Sequence, residues 1–108
     1  QSVLVEFYRG EMKVISNDEP WHLATNFLQS SVEGSPQGEC WRYDKIEQRL
    51  SETEGQLTWQ EAMDLLEAVS QSGTQWSIVY HVSTGDVSVA MGRQYDNVHR
   101  LHMNLAEE

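Results

Sequence analysis

The sequence predicts an α+β fold, an antiparallel sheet with two helices on one face. Three observations carry this. Several short segments alternate side chains with a period of two, two longer ones repeat apolar residues at helical spacing, and tight turns join neighbouring strands. The 108 residues, 39% hydrophobic, suit one domain or fragment spanning 1–108.

Residues 3–8 set Val3, Val5 and Phe7 against Leu4, Glu6 and Tyr8, which reads as a strand. Arg9-Gly10-Glu11 is a turn, and Met12–Ser16 is the returning strand. After the loop Asn17-Asp18-Glu19-Pro20, Trp21–Asn26 alternates again and predicts a third strand. Residues 28–39 have loop composition. Ser35-Pro36 resembles an N-cap followed by a first-turn proline, predicting a helix from there to about Leu50 that buries Tyr43, Ile46 and Leu50. Ser51–Gly55 then reads as an acidic linker.

Thr58-Trp59-Gln60-Glu61 is a capping box. The helix behind it places Trp59, Ala62, Met63, Leu66 and Val69 on one face, and Gly73 suits a left-handed C-terminal position. Trp76–Val82 is the strongest strand pattern. Ser83-Thr84-Gly85-Asp86 turns it into a partner carrying Val87, Val89 and Met91, and Val98–Met103 is a last strand.

Charge and composition exclude several functions. With 17 acids against 7 Lys plus Arg, the net charge is −10, which opposes binding to nucleic acid or to an anionic membrane surface. No apolar run approaches the roughly 20 residues of a membrane helix. The single cysteine, Cys40, allows no internal disulfide. His22, His81, His99 and His102 show no ligand spacing, and no metal or other cofactor is expected. Trp21, Trp41, Trp59 and Trp76 read as core or interface anchors. Cys40, two residues from Arg42, reads as a small packed residue rather than a nucleophile. Asn26 and Arg42 are the pair with the most chemical content. A side-chain amide can steady an oxyanion, and a guanidinium carries a permanent charge.

Three segments together resemble the C-terminal part of linear amide C–N hydrolases of the N-terminal nucleophile superfamily. These include choloylglycine hydrolase, penicillin V acylase and the acyl-CoA:6-aminopenicillanic acid acyltransferase-like enzymes. The segments are Leu23-Ala24-Thr25-Asn26-Phe27, then Gly38-Glu39-Cys40-Trp41-Arg42-Tyr43 with Ile46 and Leu50, then Thr74–Tyr80 with its hairpin to Val87–Val89. The resemblance implies half of an αββα sandwich. It implies Asn26 in the oxyanion hole and Arg42 beside the catalytic thiolate, where it stabilises the transition state. It also implies a small amide substrate and an N-terminal half as partner.

The chain departs from that pattern where the nucleophile belongs. Residue 1 is Gln, and a product beginning at Cys40 would lose Asn26. The expectation is therefore a fragment of a longer protein, inactive alone and able to self-associate through uncovered apolar surface. The alternative is a non-catalytic α+β module that binds a partner or a small ligand.

Overall fold

A computed structural model describes residues 2–105. The fold is α+β, with two helices and two antiparallel sheets. The strands are thus shared between two sheets rather than gathered in one. The chain forms two compact units that meet in sequence at Gln56 and Leu57.

The first unit opens with the hairpin β1 (Val3–Tyr8) and β2 (Glu11–Ser16). Arg9 and Gly10 both take positive φ at the turn, and the register pairs Val5 with Val14 and Phe7 with Met12. The alternation is as expected, but its polarity is unusual. Val3, Val5, Phe7, Met12 and Val14 share the exposed face, whereas Glu6 on the other face is buried. Glu6 is covered because it has work to do there. Its carboxylate accepts the backbone N–H groups of Gln29, at 2.6 Å, and of Ser30, at 3.0 Å, at the start of a 3-10 turn over Gln29–Ser31.

Trp21–Asn26 is not a third strand. Its carbonyls go elsewhere. Asn17 Nδ2 donates to the Trp21 carbonyl at 3.0 Å and Gln29 Nε2 to the Leu23 carbonyl at 2.6 Å. The Phe27 N–H then closes a tight turn on the Thr25 carbonyl at 2.9 Å, with Asn26 at its apex. Alternation follows which side chains are covered, with Leu23 buried and Ala24 exposed, but among the described residues no strand pairs with this segment.

α1 runs Trp41–Thr53, starting five residues after Pro36 and ending beyond Leu50. Ser35 caps only a turn, donated to by the Gln37 N–H at 3.3 Å. Gly38 at φ +89° cannot continue a helix. The Asp44 carboxylate instead reaches back to the Gly38 N–H at 3.0 Å. The acidic stretch from Ser51 is helical as far as Thr53. Glu54 and Gly55 then turn left-handed, and the Gly55 N–H closes on the Leu50 carbonyl at 2.9 Å. Leu23 and Tyr43 form the buried centre, with Phe27 edge-on to Tyr43 at 5.3 Å.

In the second unit, α2 (Trp59–Ala68) begins with the expected capping box. The Glu61 N–H donates to Thr58 Oγ1, and the Thr58 N–H to the Glu61 carboxylate. Its end differs from expectation. Val69 caps it with bonds to the Leu65 and Glu67 carbonyls, and Gly73 is not left-handed. The sheet has the order β3 (Trp76–His81), β4 (Asp86–Met91), β5 (His99–His102). Met63, Val69, Val87, Ala90, Ser77 and Ser88 are buried. Arg100 lies over the Trp59 ring at 4.2 Å, so α2 covers the face that carries Ser88 and Arg100. Trp76, Tyr80, Met91 and Leu101 are exposed on the opposite face.

Candidate functional site

The two residues singled out from the sequence lie together in the first unit. Arg42 Nη2 donates to Asn26 Oδ1 at 2.9 Å, across sixteen residues of chain. The tight turn at Asn26 and the first turn of α1 position the two side chains. A guanidinium has donors only, so the amide oxygen must face it. Nδ2, with two N–H donors, is thereby turned away from Arg42. Asn26 is exposed, so these donors can meet a ligand oxygen.

Cys40 is the N-cap of α1, directly before Trp41 and Arg42. Its thiol is held below the ordinary range, first by the neighbouring Thr25 hydroxyl and next by the Tyr43 backbone N–H. Burial opposes these, and the Arg42 N–H and charge add smaller contributions. These contacts fall short of full hydrogen bonds. The thiol makes no cap bond, and Thr25 Oγ1 is buried without a hydrogen-bond partner. The polar groups around the sulfur and the helix N-terminus both favour a thiolate. Thr25 was not singled out from the sequence beyond its place beside Asn26. Nothing local marks a threonine whose hydroxyl meets a thiol fifteen positions later.

The Tyr43 hydroxyl is pushed up by burial, then by the carboxylates of Glu47 and Asp44, so it stays a neutral core phenol. Trp41, beside Arg42, is exposed rather than packed, and Trp76 is exposed likewise.

In the first unit His22 Nδ1 lies 3.3 Å from Ser2 Oγ, and the other three histidines belong to the second unit. His102 Nδ1 is 3.0 Å from Asp86 Oδ1, and Thr84 Oγ1 donates to Asp86 Oδ2 at 2.9 Å. His102 and the Thr84 hydroxyl hold the Asp86 carboxyl below its usual range. This trio fastens β5 to the β3–β4 turn. Among the described residues no group of three His, Cys, Asp or Glu side chains could hold a metal ion, and no helix is long and apolar enough to cross a membrane.

The site offers an outward-facing amide donor, an adjacent fixed cation and a softened thiol. It can stabilise negative charge developing on an oxygen. Compared with protein-family models, with curated proteins and with solved structures, the chain has no match.

Proposed function

We propose that this chain is the C-terminal part of a cysteine N-terminal-nucleophile hydrolase or acyltransferase acting on linear amide C–N bonds. The observation that carries the reading is the hydrogen bond from Arg42 to Asn26. It joins the two residues that the resemblance implicates and leaves the asparagine N–H donors pointing outward.

In this reading, the N-terminal half supplies a cysteine whose α-amino group takes the thiol proton. The thiolate attacks the amide carbonyl carbon of a small substrate, and the carbonyl oxygen becomes an oxyanion. Asn26 Nδ2 donates to that oxygen, and the Arg42 guanidinium steadies the charge. The C–N bond breaks, the amine leaves with the proton, and a thioester remains. Water or another acyl acceptor then attacks the thioester and restores the thiol. The apolar faces of both units support docking to further sheet structure, and on an isolated chain they favour self-association. The acidic surplus gives no reason to expect nucleic acid or membrane as a partner.

The test is made on the native protein. Its mature N-terminal residue is identified, and it is assayed against N-acyl amides. The expected result is an N-terminal cysteine and a kcat reduced about 100–1000-fold by Asn26→Ala. A native N-terminus without cysteine, or full activity in the variant, refutes the reading.

A second reading, a non-catalytic α+β binding module, draws on the open groove beside Trp59 and Tyr80 in the other unit.

A further inference from the structure

We propose that Phe27 and Tyr43 position the candidate site, their ring contact setting the Asn26 amide against the Arg42 guanidinium. The positioning stands on the geometry, and only its effect on catalysis rests on the hydrolase reading.

The hydrogen bond between Asn26 and Arg42 is poorly placed to hold itself. Asn26 is exposed and Arg42 is half-buried. Water competes for both groups there, and a long guanidinium side chain loses rotamer freedom when it is held in one geometry. Yet the bond is well formed, at 2.9 Å, between residues sixteen apart in the chain. A neighbouring contact must bring the two segments into register.

The next residue on each side makes that contact. Phe27 follows Asn26, Tyr43 follows Arg42, and the two rings meet edge to face with centroids 5.3 Å apart. Aromatic pairs favour this arrangement over a face-to-face sandwich. Tyr43 is only 6% exposed and belongs, with Leu23, to the buried centre of the first unit. It is the fixed member, and the half-buried Phe27 rests on it.

Both dipeptides are stiff, so the aromatic contact is passed on to the polar one. The Phe27 N–H closes on the Thr25 carbonyl at 2.9 Å, which sets the backbone on either side of Asn26. The Asp44 N–H donates to the Cys40 carbonyl at 3.0 Å, which closes the first turn of α1 around Arg42 and Tyr43. With both backbones set, seating the Phe27 ring on Tyr43 brings Asn26 beside Arg42. On the other flank, the Thr25 hydroxyl and the Cys40 thiol complete no hydrogen bond, so they hold the register less firmly. Phe27 and Tyr43 are positioning residues, acting through Asn26 rather than on a substrate.

The experiment follows rotation of the Arg42 guanidinium about its Nε–Cζ bond, by nuclear magnetic resonance on this chain. Asn26→Ala sets the free rate, expected to exceed the parent rate by about threefold or more. Phe27→Leu keeps an apolar side chain without a ring. It should rotate at the free rate although Asn26 and Arg42 are both present. Tyr43→Phe keeps the ring and should rotate at the parent rate. If Phe27→Leu is unfolded, Phe27→Met takes its place. Equal rates in the parent and Asn26→Ala, the parent rate in the ringless variant, or the free rate in Tyr43→Phe overturns the proposal. In the native protein, Phe27→Leu should lower kcat at least about tenfold with KM little changed, because the amide meets the oxyanion only in the transition state. An unchanged kcat beside a loss in Asn26→Ala overturns the proposal as well. A native protein without amidase activity refutes the hydrolase reading alone, and the rotation rates still decide the positioning.

Discussion

Arg42 grips Asn26 by its carbonyl end, and this fixes which way the amide faces. Losing either partner should matter little for folding, because Asn26 is exposed. Asn26→Ala is expected to change stability by less than about 1 kcal/mol. Denaturant unfolding checks this. A much larger loss would make the pair a structural strut. The 108 residues alone should show no amidase activity. Robust turnover that disappears with Cys40→Ala would overturn that expectation.

The Cys40 thiol should titrate below an ordinary free cysteine, with Thr25 the foremost cause. Alkylation by iodoacetamide, followed against pH, reads this directly. Thr25→Val should raise the apparent pKa and slow the reaction at neutral pH. An unchanged profile would mean that the hydroxyl has no hold on the sulfur.

Glu6 carries an acid-labile part of the first unit's stability. Its carboxyl is held below the usual range, first by the Ser30 side chain. Burial opposes this, and the Ser30 and Gln29 backbone amides and the Lys13 charge assist it. A lowered folded-state pKa means that the stabilisation is present at neutral pH and is lost as pH falls through that lowered value. Glu6→Gln should therefore lower the melting temperature at pH 7, and the difference from the parent chain should shrink in strong acid. At neutral pH the loss should be about 1–3 kcal/mol, the usual worth of a charged hydrogen-bond acceptor. Thermal melts across pH decide it.

Gly85 should tolerate no side chain. Its φ is +86°, and an added Cβ would lie 2.1 Å from the Met103 carbonyl oxygen. The Met103 N–H also donates to the Gly85 carbonyl at 2.8 Å, so the two backbones are held close. Gly85→Ala should cost at least about 2 kcal/mol. Gly10→Ala is the comparison. Its φ of +79° is similar, but nothing lies within 4 Å of the added atom, and a loss nearer 1 kcal/mol is expected.

Features written in adjacent residues were legible in the sequence. The capping box at Thr58 and Glu61 involves one helical turn, and the β3–β4 hairpin involves one tight turn. Features that depend on distant partners were not. Trp21–Asn26 has the alternation of a strand, but side chains of Asn17 and Gln29 take two of its carbonyls. Proline at 36 suggested a helix start that the left-handed Gly38 prevents. The placement of Glu6 inward and Val5 outward is also non-local, because only the amides of Gln29 and Ser30 give the carboxylate its reason to be there. At the candidate site, Asn26 and Arg42 were legible as chemical types, and their hydrogen bond emerged only from the fold.

The outward face of the first hairpin has a consequence for handling the protein. Val3, Val5, Phe7, Met12 and Val14 are greasy and open to water. A net charge of −10 supplies the mutual repulsion that keeps such surfaces apart in solution. Salt shortens the reach of that repulsion, and acid removes it as pH approaches the isoelectric point near 4.7. The chain should be a well-behaved colloid in dilute neutral buffer, and it should cloud first in mild acid with added salt, while its secondary structure is still intact.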